Sequence, residues 1–300
     1  MPLLDYRRQS RVKPESAHLL QHARNVHSQL GEDGIVARIL ELIGARSKWC
    51  VDVGAHDGTH LSNTRYLMEQ GWSGVFYEGR GKRFKTLEAT YAGNANAHPR
   101  CQMVGFDPAR DSLDFLLKQT PIPRDFDVLS IDIDGNDWYV WEALTDYRPR
   151  IVIVEFNPTI ANDVAFVQDR DPALSQGCSL LALADLAARK GYALACATDW
   201  NGIFVLADEF AALGIADNSV EALHEDRYAG RVWQGFDGTL FMAGPDKLLW
   251  PNRAIGPEDF QILPRWRRVY GRAKRTPSRL LLMLHELHRA PRHFLRRHFG

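Results

Sequence analysis

Apolar residues follow two rhythms through the middle of the chain. Short runs rich in Val, Ile, Phe and Tyr fall at residues 49–53, 74–78, 101–106, 126–132 and 151–156. Between them, at 61–70, 83–91, 112–118 and 138–144, the pattern is helical, with apolar side chains gathered on one stripe. Strands alternating with helices predict an α/β fold: a parallel sheet, right-handed crossovers and helices on both faces. The runs VLSIDI and IVIVEF are nearly continuous in apolar residues, as central strands covered on both sides require. The helix SLLALADLAARKGY follows, with Gly191 placed to stop it. Residues 194–196 and 203–206 then read as strands around TDWNG, a turn whose Asn-Gly pair is a hairpin signal. Seven strands result, mostly parallel with an antiparallel last strand.

The flanks read differently. Residues 1–15 form a loose polar arm, and Ile35, Ile39, Leu40, Leu42 and Ile43 recur at helical spacing before the first strand. The chain divides into an arm with helices (1–44), the α/β domain (45–206), an extension of no clear pattern (207–263) and a tail (264–300). Helical extensions are expected at both ends. Charge sharpens the last boundary. Residues 264–300 hold eleven Arg or Lys and one acid, Glu286, whereas the rest holds 26 basic and 36 acidic residues. A net charge of zero therefore hides an acidic body and a basic tail.

The composition, 45% hydrophobic and 25% charged, excludes a disordered or fibrous chain. Cys50, Cys101, Cys178 and Cys196 form no C-x-x-C pair, and Cys50, Cys101 and Cys196 fall at or in the strands, as buried thiols of a reduced, cytoplasmic protein would. The N-terminal MPLLDYRRQSRVKPES lacks the apolar run of a signal peptide, and no stretch reaches the length of a membrane-spanning helix.

Candidate chemistry concentrates at the strand ends. In WCVDVGAHDGTHLSNTRYL a strand ends in Asp52, a turn with Gly54 and Gly58 follows, and a helix opens near Ser62 and Asn63. Glycine lets the backbone approach a ligand, and a helix start offers N–H groups to a carboxylate. The glycine spacing is not the G-x-G-x-x-G of a pyrophosphate cradle, which disfavours a nicotinamide-dependent oxidoreductase. Asp52 would repel phosphates but suits S-adenosylmethionine, with its ammonium and sulfonium. Glu78 ends the second strand, where a carboxylate accepts ribose hydroxyls.

A second acidic group follows. VLSIDIDGND sets Asp132, Asp134 and Asp137 around Gly135, and the next strand ends in Glu155 and Asn157. Asp132 and Glu155 should sit side by side on adjacent parallel strands. Clustered carboxylates need protons, solvent or a cation. Either Asp132, Glu155 and Asn157 hold Mg2+, or one carboxylate serves as general base or grips the ligand. Asp134 and Asp137 also suit helix capping. His56 and His60 are further candidate bases. Gln29, Glu32 and Asp33 either close over the ligand or remain exposed on their helix.

These residues carry a resemblance. SQLGEDG, VDVGAHDG, SNT, GWSGVFYEG, IDIDGND, EFNP and SLLALADLAARKGY, in order over residues 27–206, resemble the FkbM-type methyltransferases. The resemblance implies a Rossmann-like seven-stranded methyltransferase sheet and methyl transfer from S-adenosyl-L-methionine, usually to a hydroxyl of a sugar or natural product. It places Asp52, Gly54, Gly58 and Glu78 on the cofactor. GRGKRF after Glu78 departs from the family pattern, in which an acid and a proline are commoner.

The tail mixes arginines, aromatics and the leucine run of RLLLMLHELHRA. It suits an anionic membrane surface, the inner face of a membrane for example, or a helix packed on the protein. RNA methylation through the tail is a competing reading, disfavoured because no base-flipping N-P-P-[YF] follows the fourth strand. A non-catalytic nucleoside-binding module is another. The expected partner is a small-molecule or glycan acceptor rather than nucleic acid.

Overall fold

The apolar runs at 128–131 and 151–154 form adjacent central strands of a seven-stranded sheet, their side chains buried on both faces as that pattern demands. The structure, a computed structural model, describes residues 10–264 together with Arg268, Met283, Leu284, Leu287, His288 and Pro291. The chain divides into two compact units, residues 8–227 and residues 228–300 with 1–7.

In the first unit a 3-10 turn (His18–His22) and helix α1 (Glu32–Ile43) precede β1 (Trp49–Val53). Then follow α2 (Arg65–Glu69), β2 (Ser73–Tyr77), α3 (Gly81–Thr90), β3 (Ala97–Arg100), α4 (Leu113–Leu117), β4 (Val128–Ile131), α5 (Asp137–Ala143) and β5 (Ile151–Glu155). Helix α6 (Leu180–Lys190) ends at Gly191, which caps it in the left-handed conformation. The unit closes with β6 (Tyr192–Ala197), β7 (Asn201–Leu206) and the short helices α7 (Ala207–Phe210) and α8 (Val220–Leu223).

The strand order is β3-β2-β1-β4-β5-β7-β6. Strands β1 to β5 run parallel, and β7 enters antiparallel between β5 and β6. The connections leave β1 toward β2 on one side and later return to β4 on the other. That reversal opens a crevice beyond the carboxyl ends of β1 and β4. Register fixes what stands there: Val53 lies beside both Tyr77 and Ile131, and Ile131 lies beside Val154. The residues that follow, Asp132 and Glu155, are thereby neighbours.

At the opposite edge, where the parallel strands begin, charge is neutralised. Arg150 is fully buried and donates to Asp127 (2.7 Å), to Glu209 (2.9 Å) and to the carbonyls of Ile43 and Gly44 at the end of α1. Asp127 also accepts backbone N–H groups from Arg46, Ser47 and Lys48.

Several expectations shift. The third strand is residues 97–100, not 101–106, because an edge strand paired only with β2 needs no continuous apolar run. Residues 101–106 instead cross the carboxyl edge, and Cys101 is exposed while the other three cysteines are buried. The hairpin bends at 198–200, and Asn201 and Gly202 belong to β7 itself. In the second unit the described residues form two hairpins, β8 (Arg231–Gln234) with β9 (Leu240–Ala243) and β10 (Lys247–Leu248) with β11 (Arg253–Ala254). Most of the leucine-rich segment and most of the basic tail lie outside the described residues. Among the described residues no helix is long and apolar enough to cross a membrane.

Candidate functional site

A cavity of about 390 Å³ lies over the crevice between β1 and β4, and Asp52, Gly54, His56, Glu78, Asp132 and Asn136 are on its wall. Its volume falls in the range of small-molecule sites. Gly54 has φ +90°, and a Cβ there would stand 1.8 Å from the carbonyl oxygen of Asp132. Only glycine lets the chain leave β1 so close to β4. Gly58 serves another purpose: it is not on the cavity wall, and a Cβ would meet Tyr91 at 2.7 Å and Leu87 at 2.8 Å. His56, Leu61 and Asp134, all on the wall, also take positive φ (51°, 55° and 60°), a concentration of backbone strain around one cavity.

Asp52, buried at the end of β1, accepts hydroxyls from Thr64 (2.6 Å) and Ser62 (3.2 Å), both at Oδ2. Burial raises its pKa, and the two hydroxyl bonds oppose that shift. Ser62 Oγ also accepts the N–H groups of Thr64 and Arg65. Ser62 thus satisfies two N–H groups at the helix start and orients Asp52. Asn63 lines the cavity and donates to Ser130 Oγ (3.1 Å). Buried Glu78 accepts the His56 N–H at Oε2 (3.1 Å) and the Arg80 N–H at Oε1 (2.6 Å), tying two wall loops to one carboxylate. Each oxygen keeps a further lone pair for a ligand hydroxyl.

Beside them stand the acids of β4 and β5. Asp132, Asp134 and Glu155 can each bring one oxygen within 4.8 Å of the others. Asp132 opens onto the cavity, yet protein surrounds its carboxylate on the other sides. Desolvation, then the charges of Asp137 and Asp134, push it up to about 7. Glu155 is raised further, by desolvation and then by Asp132. The pair therefore holds a proton far above the ordinary carboxylate range.

The remaining candidates divide. Asp137 binds the backbone N–H groups of Ile133 and Gly135 (both 2.9 Å), bracing the loop before its helix rather than capping it. Asn157 is engaged locally: its Oδ1 accepts from Thr159 N and Oγ1, and its Nδ2 donates to the Gln176 carbonyl. His56 and His60 have rings 5.6 Å apart on the cavity wall. Glu32 and Asp33 are neither exposed nor on the cavity. Glu32 accepts from Thr198, Asn201 and the Leu30 N–H, and Asp33 accepts the N–H groups of residues 26–28. Gln29 is exposed, off the cavity wall.

Thr64, Ser130, Asn136 and the two arginines Arg80 and Arg83 also belong to the site and escaped the sequence reading. For the arginines a signal was present, since GRGKRF directly follows Glu78.

No known family model matches the sequence, and no curated protein matches it. Similar solved structures include an O-methyltransferase from Bacillus cereus in complex with SAH, at 16% identity and TM-score 0.39 over 64% of this chain and 89% of that one. The N-terminal domain of EvdMO1, crystallised in the presence of SAH and D-fucose, is similar at 15% identity and TM-score 0.40 over 66% of this chain and 98% of its own. A TehB-like SAM-dependent methyltransferase from Corynebacterium glutamicum is similar at 13% identity and TM-score 0.37 over 63% of this chain and 92% of that one. At these identities and TM-scores the likeness carries no functional weight.

Proposed function

We propose that this protein is an S-adenosylmethionine-dependent O-methyltransferase of the FkbM type, acting on a hydroxyl of a sugar or natural product. One observation carries the reading. Three acids at neighbouring strand tips, Asp52, Glu78 and Asp132, face one cavity, and among the described residues no protein cation pairs with them. A ligand that is itself cationic supplies the missing charge.

The donor set fits that cofactor. Glu78, with both oxygens already anchored to backbone, is rigid and keeps lone pairs for the ribose hydroxyls. Asp52, fixed by Ser62 and Thr64, matches an ammonium or sulfonium. The acids at the tips of β1 and β4 oppose a pyrophosphate beside them. When bound, S-adenosylmethionine supplies a methyl carbon already activated for displacement. The protein then has to align the acceptor oxygen and accept its proton.

Asp132 does the second task. Its pKa near 7 makes it a stronger base than an ordinary carboxylate, and protonated Glu155 beside it spares the pair a second charge. His56 is the alternative base on the same wall. A second reading of the acids rests on their spacing. Asp132, Asp134 and Glu155 would hold Mg2+ through three carboxylate oxygens, and such an ion would lower the pKa of the acceptor hydroxyl.

The test compares glycans and metabolites of cells with and without the protein, by mass spectrometry, for gain of one methylene. A methylated product that appears only with active protein supports the proposal. Binding of S-adenosylmethionine without any such product would leave a nucleoside-binding module.

A further inference from the structure

The cavity has a second wall of opposite sign. Arg80 and Arg83, at the start of α3, both line it. Neither guanidinium makes a hydrogen bond or ion pair with a described residue; Arg80 contributes only its backbone N–H, to Glu78. Several other arginines of the unit are engaged. Arg65 pairs with Glu69 (3.1 Å), Arg24 donates to Tyr66 (3.0 Å), and Arg170 lies over Phe106 (4.6 Å). An exposed arginine without a partner is ordinary on a surface. Two of them on the wall of one cavity, three residues apart, mark a place where negative charge is favourable.

We propose that Arg80 and Arg83 form an anion subsite that makes the acceptor a negatively charged molecule, its phosphate or carboxylate held by the two guanidinium groups. This rests on the methyltransferase reading, because the cofactor accounts for the acids but not for these arginines. Glu78 is the ribose partner in that reading, and the arginines follow it in sequence at the start of α3. The carboxylate of S-adenosylmethionine is at the opposite end of that molecule from its nucleoside, so the anion for α3 comes from elsewhere. In this proposal the acceptor reaches the cavity past Arg80, which is exposed to solvent. Guanidinium forks suit both phosphate and carboxylate oxygens, and an uncharged sugar gains little from them.

Calorimetry on the full chain, first saturated with S-adenosylhomocysteine, tests the subsite with inorganic phosphate, glucose 1-phosphate, glucuronate and methyl glucoside. The phosphate and carboxylate probes separate the two sources of charge. At least one anionic probe should bind about ten-fold or more tighter than methyl glucoside. The R80Q/R83Q double variant should erase that difference while its affinity for S-adenosylhomocysteine stays within about two-fold of wild type. Anions that bind no better than the neutral sugar would overturn the proposal. So would a double variant that loses S-adenosylhomocysteine and anion together, since the arginines would then serve the cofactor. If S-adenosylhomocysteine itself fails to bind, the methyltransferase reading falls. The same titrations without it then decide the arginine subsite separately.

Discussion

The two edges of the sheet use carboxylates in opposite ways. Where the parallel strands begin, Asp127 and Glu209 meet a buried arginine, and backbone donors complete the coordination of Asp127. Where they end, Asp52, Glu78, Asp132 and Glu155 stand together with no such cation among the described residues. A buried charge is tolerated when it is paired and hydrogen-bonded, as at the first edge. At the second edge a retained proton, rather than a protein cation, relieves the repulsion between Asp132 and Glu155.

Removing the cation from the paired edge should have the largest effect on folding. Arg150→Met leaves buried Asp127 without Arg150 and Glu209 with Arg46 alone, and should lower stability by about 3–5 kcal/mol in urea titration. Affinity of the folded fraction for S-adenosylhomocysteine should stay unchanged. Equal loss of both would show that the edges are not independent. At the other edge the sign reverses. The Asp132 pKa is raised in the folded chain, so its contribution to stability is full below the ordinary aspartate range and is lost as pH rises through about 7. Asp132→Asn removes that loss. The variant should be more stable than wild type at pH 8, and the difference should vanish near pH 4. Its turnover should fall by about 10²–10⁴ if Asp132 is the base. A variant less stable than wild type at pH 8 would mean that the acid is already compensated within the protein. The smallest effect is expected from chelation. With Asp132 accepting the proton directly, activity should persist in EDTA. Activity lost in EDTA and restored by Mg2+ would instead assign Asp132, Asp134 and Glu155 to a cation.

The unequal legibility of the sequence follows from the same physics. Strands β1, β4 and β5 are visible because burial on both faces leaves continuous apolar runs, and parallel register then puts Asp132 beside Glu155. Strand β3, with AHPR at the sheet edge, lacks that signal. Contacts across long sequence separations stay hidden: Glu32 meets Thr198 and Asn201, and Arg150 meets Gly44 and Glu209. Gly58 was grouped with Gly54 by spacing, yet one glycine faces the cavity and the other faces Tyr91 and Leu87. The turn between β1 and α2 fixes Asp52 through Ser62 and Thr64, a pairing that only the folded loop reveals.

The most direct measurement is calorimetric titration of S-adenosylhomocysteine and NADH into wild type, Asp52→Ala and Glu78→Ala. Wild type should bind the homocysteine nucleoside and not NADH, and each substitution should weaken that binding by about 1.5–3 kcal/mol while circular dichroism shows an intact fold. No binding by wild type, or affinities that ignore both carboxylates, would contradict the assignment of this cavity.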